Sequence, residues 1–448
     1  MAKLAQLVPS WDAGGRAQLV ASFSEQSAVS ISSPADRGQV DLGASSYADN
    51  VFTLRTRWDS SANSNGGRAI LAQLDGVLGM TPVIRVVRSN FGIAMASTAK
   101  FLFSTDGVNW TQMANRSSDS SYYIASHSAP FTADTVQIAF WVPWATGYTL
   151  PYILSIEGSG YVSDTPSTTG YVFENRAATV NEAGAAISST PLYAFKIAAP
   201  GSVAPDGAAR RNMVLISGVH GSEDIGNWAL KGACDFLVSE DPQAVVLRSW
   251  FNTFVYPLVS SAGRKGGSTR GDFQSGYMTT DVNRQWNTSN METLVKHKAA
   301  ILADTGGAAE VFMDFHGSVL DTFNHDFYEA GDDIASWAAA IRTYVPGLVM
   351  VEQDDAGVSS EWARSALGTT FALIPEHTFG RNDVTQASAE ASGANHMRAV
   401  AHLAAQGHFG ENLEVEGEVN AIDEALDTCS IEGTVGSAGT QVIMVMMS

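Results

Sequence analysis

Between about residues 190 and 406 the chain alternates between strand-like and helix-like segments. The strand-like segments are apolar runs rich in β-branched and aromatic residues, whereas the helix-like segments carry apolar residues three and four positions apart. The strand-like runs are 212–219, 250–259, 309–316 and 368–375, and the helix-like runs are 223–238, 291–303, 333–345 and 394–406. Since parallel strands need a crossover connection, usually a helix, this order predicts an α/β/α domain with a mostly parallel mixed sheet flanked by helices.

The first 160 residues have a different pattern. Short runs rich in β-branched and aromatic residues, such as 51–58 and 135–142, are separated by turn-forming Gly, Asn and Asp residues. Strands at this spacing are typical of an antiparallel β-sandwich. We therefore predict three parts, namely an N-terminal β-sandwich at 1–160, an α/β domain at 161–410 and an acidic tail at 411–448.

The chain is strongly acidic, with a formal net charge of −20 over 448 residues. A charge of this sign argues against nucleic acid as a partner. Residues 411–448 hold eight acidic residues and neither lysine nor arginine. Much of the acidity therefore belongs to the predicted tail and says little about any one pocket.

Three observations bear on the compartment. No apolar run reaches the roughly 18 residues of a membrane-spanning helix, and the N-terminus lacks the continuous apolar stretch of a secretory signal. The two cysteines, Cys234 and Cys429, exclude a disulfide framework but leave open a single bridge. We expect a cytoplasmic protein that does not bind membranes, and a phage-encoded or exported origin stays open.

His220 and Glu223, in the segment V-H-G-S-E, lie between an apolar strand-like run and a helix-like run. Imidazole nitrogen and carboxylate oxygen are good zinc ligands, and a catalytic zinc site uses three ligands from the protein. His316, in D-F-H, ends a second apolar run. Because the carboxyl ends of neighbouring parallel strands meet at one edge of a sheet, these three side chains are candidates for one zinc site. Each motif alone is also typical of a structural turn or strand end.

Further polar residues lie in G-S-T-R, in D-V-N-R and after A-L-I-P, namely Arg270, Asp281, Asn283, Arg284 and Glu376. An asparagine beside an arginine can grip a terminal carboxylate, because guanidinium donors match its geometry. A carboxylate at a strand end can act as a general base. Taken singly, Arg270, Asn283, Arg284 and Glu376 are more typical of a solvated surface.

Taken in chain order, H-x-x-E, an arginine, D-x-N-R, D-x-H and a strand-end glutamate resemble the M14-type zinc carboxypeptidases. The segment D-V-N-R-Q-W at 281–286 is similar to the form of the cytosolic carboxypeptidase branch. In the first part of the chain, 103–113 and 131–150 resemble the β-sandwich that precedes the catalytic domain in that branch. The resemblance covers about 50–405 and implies that 161–410 form a zinc carboxypeptidase domain.

The resemblance implies one Zn2+ ion per chain. His220, Glu223 and His316 would bind this ion. Asp281 would orient His220 from outside the ligand set, as metal-bound histidines usually require.

The resemblance also implies roles in hydrolysis of the C-terminal peptide or isopeptide bond of peptides or proteins. Arg270 would polarise the scissile carbonyl and stabilise the oxyanion. Asn283 and Arg284 would hold the C-terminal carboxylate of the substrate. Glu376 would act as the general base and pass its proton to the leaving amine. The implied partners are peptide and protein C-termini.

Residues 351–368 are expected to line the pocket for the substrate's last side chain. An inward Arg364 would favour acidic C-terminal residues, as the deglutamylating branch of the family implies, whereas an inward acid would favour lysine or arginine. The resemblance favours acidic substrates. The candidate inward acids are Asp354, Asp355 and Glu361.

The chain departs from the family in two places. Many members place a mobile tyrosine upstream of the catalytic glutamate, but no tyrosine lies between Tyr344 and Glu376. The family's N-P-D-G loop reads S-S-A-G at 260–263. The residue that replaces the tyrosine is left open.

Three other functions remain open from sequence. An amidohydrolase on the same scaffold could remove acyl groups from amino acids, and a related peptidase could cut the stem peptides of peptidoglycan. A zinc-free relative could serve as a binding module. The oligomeric state and the role of the acidic tail are also left open.

Overall fold

The computed structural model describes most of the chain. The described residues are 3–11, 17–25, 28–34, 40–56, 70–90, 100–181, 184–274, 277–288, 290–318, 325–329, 334–344, 349–352, 357–378 and 385–409. The acidic tail with Cys429, and the acids Asp354 and Asp355, lie outside these residues. Cys234 is a buried free thiol.

The N-terminal part is built from short strands. They are β1 (Lys3–Trp11), β2 (Ala17–Glu25), β3 (Ser30–Ser32), β4 (Ser46–Ala48), β5 (Val51–Leu54), β6 (Leu71–Asp75), β7 (Val83–Val87), β8 (Leu102–Ser104), β9 (Thr111–Gln112), β10 (Asn115–Ser118), β11 (Tyr122–Ser126) and β12 (Thr135–Ala139). Strands β1 and β2 form an antiparallel pair. The others form two five-stranded sheets in the orders β10-β11-β7-β5-β4 and β3-β6-β12-β8-β9.

The two five-stranded sheets share one apolar core, to which Phe52 and Ile84 contribute from one sheet and Leu74 and Val136 from the other. Burial alternates along the strands, as in Val51–Leu54, because one face of each sheet points into this core. The predicted antiparallel β-sandwich is confirmed. The pair β5–β7 departs from it, since these two strands run parallel.

The second part alternates strands and helices. Its strands are β13 (Val162–Ser163), β14 (Val172–Arg176), β15 (Thr179–Val180), β16 (Ala186–Ile187), β17 (Thr190–Tyr193), β18 (Phe195–Ile197), β19 (Arg211–Ser217), β20 (Phe251–Tyr256), β21 (Phe273–Gln274), β22 (Tyr277–Met278), β23 (Val311–Ser318), β24 (His325–Glu329), β25 (Val349–Glu352) and β26 (Phe371–Thr378). A helix α1 (Thr149–Glu157) precedes them, and α2 (Asp224–Leu237), α3 (Pro242–Trp250), α4 (Ser261–Gly266), α5 (Glu292–Thr305), α6 (Ile334–Tyr344), α7 (Ser359–Leu367) and α8 (Gln386–Ala405) follow in turn. In both described parts of the chain there are 3-10 turns, at Arg88–Asn90, Thr146–Tyr148 and Val282–Arg284.

An eight-stranded sheet forms the centre of this part, in the order β13-β18-β20-β19-β23-β26-β24-β25. Its middle strands β20, β19, β23 and β26 run parallel, whereas β18 and β24 pair antiparallel with their inner neighbours. The predicted α/β domain with a mixed, mostly parallel sheet is confirmed. Helices α1, α3, α4 and α7 were not predicted, and α7 lies within 351–368, the segment predicted to line the specificity pocket.

The segment 155–172, which spans the predicted boundary at residue 160, is anchored to the α/β domain. The backbone N–H and the Oγ–H of Ser167 donate to the carboxylate of Asp304, at 2.7 and 2.9 Å. Within the same segment, Asp164 accepts from the backbone N–H of Tyr171 at 2.6 Å. The exact domain boundaries stay a prediction. Among the described residues, no helix is long and apolar enough to cross a membrane.

Candidate metal centre

The turn between β19 and α2 carries the first two candidate ligands. Strand β19 ends at Ser217, and Gly218 adopts a left-handed conformation with φ of 68°, which turns the chain out of the sheet. Glu223 then occupies the N-cap position of α2. The glycine at 226 lets α2 lie close against β23, because a Cβ there would lie 2.2 Å from the carbonyl oxygen of Phe315.

His316 comes to the same place on the neighbouring strand. Strands β19 and β23 are parallel, with Ser217 in register with Phe315. The Nδ1 atoms of His220 and His316 each lie 2.9 Å from a carboxylate oxygen of Glu223. The three residues are 2, 5 and 1% exposed, and their donor atoms all lie within 4.8 Å of one another. The structure thus brings together the three predicted ligands.

Each histidine of this group is fixed by a second carboxylate. The Nε2 atom of His220 lies 2.9 Å from Oδ1 of Asp281, and Nε2 of His316 lies 2.9 Å from Oδ2 of Asp314. These contacts leave each Nδ1 directed at Glu223. Two imidazoles and a carboxylate with outer carboxylate partners form a donor set that fits a zinc ion.

Glu223 and His316 have strongly shifted pKa values. Burial alone would lower the pKa of His316, but contacts with Asp314 and Glu223 raise it well above its usual value. Burial alone would raise the pKa of Glu223, but His220 and His316 hold it well below its usual range. A metal ion bound here would require His316 as a neutral imidazole.

Arg270 lies beside this group. Its Nε–H donates to Oδ2 of Asp281 at 2.6 Å, and its Nη1 lies 3.6 Å from Oε1 of Glu223. Burial acts to lower the pKa of Arg270, yet the neighbouring carboxylates, first among them Asp281, raise it overall. The guanidinium is thus a fixed cation next to the candidate ligands.

Glu376 lies on β26, in register with His316 on the adjacent parallel strand β23. Its Oε1 is 4.0 Å from Nδ1 of His316, and its side chain is 13% exposed. It is also among the carboxylates that raise the pKa of Arg270. A carboxylate that borders the ligand group and still meets solvent is placed to exchange protons with a bound water.

The fold of most of the chain has known counterparts. A metallo-carboxypeptidase from Burkholderia cenocepacia matches it with a TM-score of 0.66 and 18% identity, over 83% of this chain and 97% of that one. A metallo-carboxypeptidase from Pseudomonas aeruginosa, solved with (2-guanidinoethylmercapto)succinic acid, matches with a TM-score of 0.65 and 14% identity, over 84 and 98%. The chain has the metallo-carboxypeptidase fold.

Sequence relatives point to the same group. Cytosolic carboxypeptidase 4 of Mus musculus is 33% identical over 113 residues, which is 24% of this chain and 10% of the relative. Cytosolic carboxypeptidase 2 of Macaca fascicularis is 27% identical over 144 residues, 29% of this chain and 16% of the relative. The matches thus span a small part of these longer proteins. No protein-family model matches the chain. The predicted resemblance to the cytosolic carboxypeptidases is confirmed.

The metallo-carboxypeptidase fold holds the predicted carboxylate-binding residues in the 3-10 turn Val282–Arg284. Asp281 caps this turn by accepting from the N–H of Asn283 at 2.9 Å. Asn283 is buried, whereas Arg284 is exposed and donates to the carbonyl oxygen of Asn283 at 3.1 Å. Asn283 therefore adjoins the candidate metal centre through Asp281, and Arg284 lies at the surface beside it.

The structure describes part of 351–368, the segment predicted to line the specificity pocket. Arg364 is half-buried on α7. Glu361 accepts from Nδ2 of Asn287 at 2.6 Å and from the N–H of Gly357 at 2.5 Å, so its carboxylate is engaged within this region. The contribution of Arg364 to the pocket stays a prediction.

Asp314 and Ser359 have no role predicted from sequence. Asp314 lies two residues before His316 on β23, so both side chains point to the same face of the sheet. That spacing could have revealed it. Ser359 donates from Oγ to Oδ2 of Asp314 at 2.6 Å, a contact between residues 45 positions apart that no local pattern announces.

Arg264, which was also not predicted, contacts the turn that carries His220 and Glu223. It is wholly buried, and its guanidinium donates to the carboxylate of Asp224 and, at 2.7 Å, to Oδ1 of Asn227. It also donates to the carbonyl oxygens of His220 at 3.5 Å and Trp144 at 3.1 Å. The first turn of α2 is thereby tied to the N-terminal part of the chain.

We expect Asp281→Asn to weaken zinc binding by about 10- to 100-fold, the usual effect of losing an outer carboxylate partner. The amide can still cap the turn, but it no longer offers His220 an anionic acceptor. Competition titration against a chromophoric chelator measures the affinity. Asp206→Asn, at an exposed turn, is the control. Unchanged affinity in Asp281→Asn would show that Asp281 does not support the site.

Proposed function

We propose that the chain is a zinc metallocarboxypeptidase that hydrolyses the C-terminal peptide or isopeptide bond of peptides or proteins, with one zinc ion per chain. The observation that carries this proposal is the buried group of His220, Glu223 and His316, flanked by Glu376 and Arg270 at the edge of a parallel sheet. The metallo-carboxypeptidase fold and the resemblance to cytosolic carboxypeptidases support it.

Residues of this chain supply the proton transfers and the charge stabilisation. A zinc ion, when bound, supplies a Lewis acid that polarises a carbonyl and acidifies a water. Glu376 is the general base: it takes a proton from the attacking water and delivers it to the leaving amine. Arg270, held by Asp281 at 2.6 Å, donates to the oxygen on which negative charge develops.

Restriction to the last residue of a substrate requires a grip on its carboxylate. Asn283 and Arg284 lie on one short turn next to Asp281. We assign them this grip, with the guanidinium of Arg284 as the partner for the two carboxylate oxygens. A substrate without a free C-terminal carboxylate would then lose both its anchor and its alignment.

Side-chain preference is the finer part of the proposal. The half-buried Arg364 on α7 would accept an acidic C-terminal residue, in keeping with the resemblance. The two scaffold-sharing alternatives, removal of acyl groups from amino acids and cleavage of peptidoglycan stem peptides, would use the same base and oxyanion donor. A zinc-free binding module would not need Glu376 beside a complete ligand group.

A peptide library that differs only at the C-terminal residue tests the proposal. The zinc-loaded protein is incubated with it, and products are read by mass spectrometry. Release of single C-terminal residues, blocked by a chelator, is the expected result, with Glu and Asp released fastest. Absence of cleavage with zinc bound would refute the peptidase and direct the test to acyl-amino acids and stem peptides.

A further inference from the structure

Helix α7 begins at Ser359, which is fully buried at the edge of the candidate metal centre. Its Oγ–H donates to Oδ2 of Asp314 at 2.6 Å, and its backbone N–H donates to Oδ1 of Asn283 at 3.2 Å. Ser359 thus connects Asp314, the hydrogen-bond partner of His316, with Asn283. Asn283 is the residue assigned to bind the C-terminal carboxylate of the substrate.

The Ser359 hydroxyl is important for the position of Asp314, because few other groups donate hydrogen bonds to this carboxylate. Its Oδ2 accepts hydrogen bonds from Nε2 of His316 and from Oγ of Ser359. Its Oδ1 has no hydrogen-bond partner among the described residues. A buried carboxylate with a single donor would be costly and free to rotate. Within the described part of the chain, Ser359 therefore supplies one of the two hydrogen bonds that orient the carboxylate of Asp314.

The orientation of Asp314 fixes the tautomer of His316. When His316 is neutral and Oδ2 accepts from Nε2–H, the lone pair of the ring lies on Nδ1, the atom 2.9 Å from Glu223. Loss of the Ser359 hydroxyl would loosen Asp314 and, through it, the ring of His316.

We infer that Ser359 is a positioning residue that sets zinc affinity through Asp314 and aligns Asn283 through its backbone. Only the role of Ser359 in aligning Asn283 rests on the proposed function, since metal affinity can be measured without any substrate. It also makes the start of α7, the helix that carries Arg364, a structural part of the metal centre.

Ser359→Ala is expected to weaken zinc binding about tenfold, because it removes a hydrogen bond to a charged group one step away from a ligand. Competition against a chelator measures this in the full chain. Ser360→Ala is the matched control, since Ser360 is also buried and is the next residue of α7. It should leave the affinity within about twofold of the parent protein.

The pair Ser359→Thr and Ser359→Val covers the case in which the alanine variant does not fold. These two side chains have nearly the same shape and differ in the hydroxyl, so threonine should retain an affinity about tenfold above that of valine. At saturating zinc, Ser359→Ala should keep its KM within about twofold, because the backbone contact to Asn283 remains.

The inference would be overturned if Ser359→Ala bound zinc as tightly as the parent protein or only as weakly as Ser360→Ala. It would also be overturned if Ser359→Thr and Ser359→Val bound zinc equally well. If the expected differences in zinc affinity are found but no peptide is cleaved, the proposed function fails and the role of Ser359 in the metal centre stands.

Discussion

His316→Ala is expected to abolish tight zinc binding and, with it, all hydrolysis. His316 supplies one of three buried ligand atoms and touches both Glu223 and Asp314. Because losing only an outer partner costs about 10- to 100-fold in metal affinity, losing a ligand should cost more than roughly 100-fold. Zinc content after gel filtration, measured by mass spectrometry of the metal, should fall from one ion per chain to near zero.

Two further measurements separate this result from general damage. His127→Ala removes a histidine that stacks on Phe131 in the β-sandwich, and it should keep a full complement of zinc. The thermal unfolding temperature of His316→Ala should match that of the metal-free parent protein to within a few degrees. If purified His316→Ala retained one tightly bound zinc ion, the ligand assignment would be wrong.

Glu376→Gln is expected to keep zinc and lose activity. Glutamine has nearly the shape of glutamate but cannot accept a proton, so kcat should fall by roughly 10²- to 10⁴-fold, the usual contribution of a general base. KM should stay close to that of the parent, since the carboxylate grip is formed by other residues. Steady-state kinetics on a C-terminally cleaved reporter peptide, together with zinc content, provides both readings.

The control for this variant is Glu174→Gln, at an exposed position of β14. It should change neither kcat nor zinc content. A Glu376→Gln protein with full kcat would mean that another residue accepts the proton. Loss of zinc from it would instead make Glu376 part of the ligand set.

Much of this site is predictable from sequence because its residues lie at strand ends. His220, Glu223 and His316 follow apolar runs that become the parallel strands β19 and β23, and parallel strands deliver their carboxyl ends to one edge of the sheet. The order of the motifs along the chain adds the family resemblance, from which Glu376 and Arg270 follow.

What sequence did not supply comes from long-range packing. Ser359 reaches Asn283 across 76 positions, and Arg264 reaches Trp144 across 120, so neither contact leaves a periodic signal. Helix α7 has only nine residues, so it was not predicted from the mixed polar sequence of 351–368. The parallel pairing of β5 and β7 likewise depends on the sheet rather than on either strand.

The central claim is that a zinc-loaded chain removes one residue from a free C-terminus. The most direct measurement compares two peptides of one sequence, ending in glutamate, that carry either a free carboxylate or an amide at the C-terminus. Mass spectrometry should show loss of the last residue from the free peptide alone, and none after chelation. Cleavage of both peptides at equal rates, or of neither by the zinc-loaded protein, would contradict the account.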